Sequence, residues 1–108
     1  MIPYAGASAP SGWLLCAGQY VSQSTYNDLY VALGGLGSPY GVNGSSQTFA
    51  VPDLRGRVVA GKDNMGGSSA NRLVNMVSGG TLGQFGGVER HQLQLPEIPS
   101  HQHGIPLH

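Results

Sequence analysis

The sequence predicts an α+β fold: one small domain with one main helix, short strands and long ordered glycine-rich loops, completed by assembly into a trimer. Three observations carry that expectation. The chain has 108 residues, enough for one domain. Helical spacing of apolar residues is clearest in one segment, Ser22 to Leu33, while the remaining apolar runs are short and stop at glycine or proline. Third, His101 and His103 stand two residues apart, so an extended backbone turns both imidazoles to one side. Two ligands do not fill the coordination shell of a metal. Three chains around a threefold axis bring six such nitrogens together, which suggests a trimer closed by a shared ion rather than an active site.

The elements follow in chain order. Ile2 to Cys16 reads as an extended arm, a turn at Ala9-Pro10-Ser11-Gly12 and a short strand at Trp13-Leu14-Leu15-Cys16. Trp13 is the only tryptophan and the expected anchor of the core. In the helix Ser22 to Leu33, Ser22 or Ser24 supplies the cap, Tyr26, Leu29, Tyr30 and Leu33 form the apolar face, and Gly34-Gly35 ends it. Gly37 to Ser46 is loop. Thr48-Phe49-Ala50-Val51 is a strand stopped by Pro52, and Val58-Val59-Ala60-Gly61 is a second. Residues 62–90 form a long loop expected at a subunit interface. Gln92-Leu93-Gln94-Leu95 alternates like a strand edge, and Pro96 to Pro99 is a single turn leading to the histidine tail. Residues 1–108 are thus read as one domain, with a helix-and-strand core at 2–61 and a closing strand and tail at 91–108.

Composition excludes several classes of function. Five basic residues balance five acidic ones, and charged residues make up 9% of the chain, against roughly 25% in ordinary soluble domains. No basic stripe suits nucleic acid. Sparse charge with 18 glycines points to a surface meant to be covered by assembly. No apolar run reaches the roughly 18 residues of a membrane span, so no membrane insertion is expected. Met1-Ile2-Pro3 lacks the basic and apolar regions of a signal peptide. The single cysteine, Cys16, permits no intrachain disulfide and reads as a buried, inert thiol beside Leu14 and Leu15. Catalysis has no support: there is no Gly-x-Ser-x-Gly elbow, and Pro99 prevents Glu97 and His101 from sharing a helix face. Gly61 to Ser69 is rich in glycine but has no lysine followed by serine or threonine to close a phosphate loop.

Several stretches resemble a known family. Ile2-Pro3-Tyr4-Ala5-Gly6, Pro10-Ser11-Gly12-Trp13-Leu14-Leu15-Cys16-Ala17-Gly18-Gln19, and Thr48-Phe49-Ala50-Val51-Pro52-Asp53-Leu54-Arg55-Gly56-Arg57-Val58 are similar to the phage tail collar domain. The similarity resumes at Asn71-Arg72-Leu73, Gly79-Gly80-Thr81-Leu82-Gly83, Gly86-Gly87-Val88-Glu89 and Pro99-Ser100-His101-Gln102-His103. One departure is Ala17, where the family usually carries an acidic residue. The resemblance implies a structural protein of a bacteriophage tail fibre or tail tip, made in the bacterial cytoplasm and carried in the virion. It implies a small α/β unit that trimerises, with other tail or baseplate proteins and a host surface receptor as partners. Some family members bind a metal on the threefold axis through a His-x-His pair, and His101 and His103 are the matching positions. A single zinc or iron ion is the expected cofactor. Because the ligand must be neutral, a metal-held trimer loosens as the pH falls.

The other candidate residues read as structural. Asp53 and Arg55 are expected to pin a tight turn, the carboxylate bonding nearby amides and the guanidinium holding loop oxygens. His91 reads as an ordinary hydrogen-bonding histidine, and His108 as a terminal one. The alternative function is a receptor- or carbohydrate-binding module at a fibre tip, with Asp63 to Gly87 as its recognition surface; the one aromatic residue there is Phe85.

Overall fold

The computed structural model describes residues 1–74 and 79–105. Its ordered centre is a three-stranded antiparallel sheet made of β1 (Tyr20–Ser22), β2 (Val42–Asn43) and β3 (Thr48–Ala50), in the order β1-β3-β2. Tyr20, Val21 and Ser22 face Ala50, Phe49 and Thr48, while Val42 and Asn43 face Phe49 and Thr48. One helix, α1 (Asn27–Ala32), joins β1 to β2.

The β2–β3 hairpin has a local cause. Asn43 Oδ1 accepts from the backbone N–H groups of Ser45 and Ser46, the side-chain mimic of a turn. Gln47 then takes a positive φ of 51°, and β3 begins. Gly41, just before β2, has φ 118°, and a Cβ there would stand 3.0 Å from the Tyr20 hydroxyl. The position therefore needs glycine for both backbone and space. Its carbonyl accepts from Ala50 N at 3.0 Å, extending the pairing beyond β2.

The helix is shorter than the apolar spacing predicts, because Val21 and Ser22 are taken by the sheet. Ser22 still serves its start: its carbonyl accepts from Tyr26 N at 3.1 Å and its hydroxyl oxygen from Thr25 N at 3.4 Å. Gly34 ends it at φ 108°, the left-handed conformation that glycine adopts without steric cost. Leu29, Tyr30 and Leu33 face inward and are half-buried, and the Tyr30 ring packs on Phe49 with centroids 5.4 Å apart. Phe49, Ala50 and Val51 are the buried apolar core among the described residues, with Phe49 at 0% exposure.

Four expectations need correction. Trp13 to Cys16 forms no strand; Trp13 N bonds Pro10 O in a turn, and the indole is 51% exposed rather than central to the core. Val58 to Gly61 forms no strand, and Val58 is 97% exposed. Gln92 to Leu95 pairs with no strand among the described residues, and Leu95–Glu97 is instead a 3₁₀ turn. Conversely, the loop predicted at Gly37 to Ser46 contains β2. For the second and third, β propensity and alternation produce a ladder only where another strand lies alongside, and none does among the described residues; at the first, pairing is limited to the bonds around the Ala17–Asp53 bridge.

Beyond Ala50 the described residues contain no further strand or α-helix. Local polar knots hold this part. The Asp63 carboxylate accepts from Arg72 N at 3.2 Å and from the Ser69 hydroxyl at 3.1 Å, while Asp63 N donates to Gly79 O at 2.7 Å. Desolvation pushes the Asp63 carboxyl up, but the hydrogen bonds from Arg72 N–H, Ser69 O–H, and Leu73 and Asn71 N–H outweigh it and hold it below its ordinary value. Met76 and Val77, read as part of the same loop, lie outside the described residues, as do Leu107 and His108. No helix among the described residues is long and apolar enough to cross a membrane.

The chain is drawn out. It extends 81 × 36 × 28 Å with a radius of gyration of 21.4 Å, where a compact chain of this length has about 13 Å. Its accessible surface is 9081 Å², against about 5,700 Å² for a compact monomer of the same mass.

Candidate functional site

The C-terminal tail is built on a small clasp. Leu95–Glu97 forms a 3₁₀ turn in which Glu97 N donates to Gln94 O at 2.9 Å and Ile98 N to Leu95 O at 3.2 Å. The Glu97 carboxylate reaches back to accept from Gln94 N at 2.6 Å, satisfying a donor that the turn leaves free. Its two oxygens also lie 2.8 and 3.0 Å from His91 Nε2. Sequence reading treats His91 and Glu97 separately and misses this pair. The available signal is the Gln-x-x-Glu spacing with Pro96 in the turn.

Beyond the clasp, Ile98 is extended and Pro99 fixes the backbone before the histidines. His101 and His103 have ring centroids 5.2 Å apart, set edge to face at 88°. Both are exposed. His101 Nδ1 lies 3.0 Å from Pro99 O. A carbonyl only accepts, so Nδ1 carries the proton and the lone pair of His101 is on Nε2. A neutral imidazole with one nitrogen tied to a carbonyl and the other facing outward is the arrangement that metal-ligating histidines adopt. The donor set therefore fits a transition metal in kind. In number it does not: no group of three or more His, Cys, Asp or Glu is gathered among the described residues of one chain.

Asp53 and Arg55 lie in the turn just after β3. Arg55 donates from Nε and Nη2 to the two Asp53 oxygens, each at 2.8 Å, and from its backbone N to Oδ1 at 3.2 Å. Arg57 Nη1 donates to Asp53 O at 2.7 Å. Around this fork, Leu54 N bonds Cys16 O at 2.9 Å and Gly18 N bonds Pro52 O at 3.2 Å, so the turn after β3 is fastened to the segment before β1. A bridge between Ala17 and Asp53 completes it. The Arg57 guanidinium sits 4.4 Å from the centroid of the Phe85 ring, a cation–π contact linking the turn to the long loop.

The side-chain hydrogen bonds from Arg55, followed by its backbone N–H, lower the Asp53 carboxyl from 3.8 to about 2. A carboxyl depressed on folding stabilises the fold above its ordinary value, and that stabilisation is lost as the pH falls through the folded one. The turn is therefore expected to loosen between about pH 4 and pH 2. Asp53→Asn should flatten this part of the acid-unfolding curve, read by circular dichroism; an acid limb identical to that of the unchanged protein would remove Asp53 from the account.

Comparison with known proteins places these features. The family model described as Phage Tail Collar Domain matches residues 1–59, the part that holds the sheet, the helix and the Asp53 turn. A Rhizobium leguminosarum bv. viciae protein, Protein RhiB, is 34% identical over 92 residues, which is 82% of this chain and 41% of RhiB. The chain thus spans less than half the length of that relative. No solved structure matches. The matched domain is a structural domain of phage tails and not an enzyme family. With the match covering more than half of the chain and enclosing its whole folded centre, the chain belongs to the phage tail collar domain family.

Proposed function

We propose that the chain is a structural protein of a phage tail fibre or tail tip that works as a homotrimer, docks on other tail or baseplate proteins and contributes to host attachment. One observation carries the assembly: the chain leaves about 3,400 Å² more surface exposed than a compact monomer of its mass. Obligate interfaces bury roughly 2,000–5,000 Å², so the excess is the size of a permanent interface. Much of it is apolar: Val58, Phe85, Val88, Leu93, Leu95 and Ile105 are all exposed. A free monomer with this surface would be prone to aggregate.

The histidine pair closes the assembly. Two imidazoles from each of three chains supply a six-nitrogen site for one zinc or iron ion, with the Pro99 carbonyl holding His101 in the ligating tautomer. The ion binds the assembled trimer and not the single chain, so it stabilises the trimer by mass action. The test is native mass spectrometry of the protein with His101→Ala and His103→Ala beside the unchanged protein. The unchanged protein is expected to carry one ion per three chains, the variant none, with a lower melting temperature. A metal-free unchanged trimer would remove the ion from this account and leave the structural role.

A further inference from the structure

The clasp at Glu97 has a use within that reading. We infer that Glu97 and His91 are positioning residues for the His101/His103 tail, fixing the turn from which the two histidines emerge. The inference rests on the proposed metal site and adds two residues to it that ligate nothing themselves.

The tail has little else to orient it. Among the described residues no strand or helix follows Glu97, and residues 98 to 105 are exposed. Such a segment is expected to sample many directions, and three copies would then rarely meet at one point. Ordering each residue's backbone costs conformational entropy, so a free tail would weaken the ion's binding. The clasp removes part of that freedom beforehand. Glu97 closes a ring of bonds with Gln94 N at 2.6 Å and His91 Nε2 at 2.8 and 3.0 Å. A carboxylate only accepts here, so Nε2 of His91 donates the hydrogen bond. Pro96 inside the turn and Pro99 after it hold φ near −65° at two positions, and the Pro99 carbonyl bonds the first histidine. The path from Glu97 to His101 is thus four residues long, with a fixed start, a proline and a fixed end.

An exposed ion pair by itself contributes little to stability, which makes the inference separable from a general structural role. Loss of Glu97 should alter how well the tail holds an ion far more than how well the domain folds.

The experiment strips the assembled full-length protein with chelator, adds zinc(II) or iron(II) in turn, and measures affinity by competition with a chromophoric chelator. Glu97→Ala is expected to weaken binding about tenfold, the cost of ordering a further backbone residue on binding, with melting of the metal-free protein unchanged. Glu97→Gln, which keeps an oxygen for Gln94 N–H, should fall between the two. His91→Phe keeps ring volume without the donor and serves if Glu97→Ala does not assemble; it should weaken binding in the same direction. Unchanged affinity in these variants, in a protein that binds the ion, overturns the positioning role alone. An unchanged protein that binds neither ion overturns the metal site, and the positioning role with it.

Discussion

Phe49→Ala is expected to unfold the collar sheet. Phe49 is the one large side chain with no exposed surface among the described residues, and it sits where three elements meet. It pairs with Val21 on one side and Val42 on the other, and stacks on Tyr30 of α1. Removing such a ring costs about 3–5 kcal/mol. With only Ala50 and Val51 as buried company, the remaining packing cannot collapse around the gap. The near-ultraviolet circular dichroism should be lost and the strand amides should exchange rapidly with solvent. A variant that keeps a cooperative transition near that of the unchanged protein would show that the sheet is not the stabilising centre.

Val58→Asp and Leu95→Asp are expected to have the opposite character. Val58 is 97% exposed and Leu95 87% in the single chain. Substitutions at such positions normally change the stability of a monomer by no more than about 0.5 kcal/mol. If these side chains are covered by neighbouring copies, each aspartate places a charge in a buried interface, and three copies place three. Assembly should then weaken by at least about tenfold per variant, since burying an unpaired charge costs several kcal/mol. Sedimentation at a series of concentrations reads this directly. Normal assembly in both variants would mean that the exposed apolar surface lies outside the interface.

How far the sequence could be read differs along the chain. A helix within the Ser22 to Leu33 segment and its glycine stop are legible because local spacing and a local backbone requirement fix them, while its start, at Asn27 rather than Ser22, is not. The strand at Thr48 is legible for a similar reason: a β-branched and aromatic run halted by Pro52. β1 is not, since Tyr20 to Ser22 is three residues long and its Ser22 serves equally as a helix start; only pairing with Phe49 and Thr48 decides. Val58 to Gly61 and Gln92 to Leu95 have strand character with no strand beside them, so propensity overstates them. Trp13 is read inward because tryptophan usually is, yet more than half of it is exposed in one chain. For the candidate site, the His-x-His spacing and the Asp53 to Arg55 proximity are visible in sequence because each is local. The His91–Glu97 pair is not, since six residues with an intervening turn bring it together.

These contrasts share one physical origin. The first half of the chain satisfies much of its strand and helix potential within itself. The second half carries apolar, strand-forming residues that find no partner strand among the described residues. Low charge, many glycines and an extended shape are what the proposed assembly explains.

The most direct measurement is sedimentation equilibrium of the purified chain across a wide concentration range, with far-ultraviolet circular dichroism on the same samples. A three-chain species is expected, its structure lost as dilution drives dissociation, so that assembly and folding disappear together. A folded single chain, with the same spectrum at every concentration and no association, would contradict it.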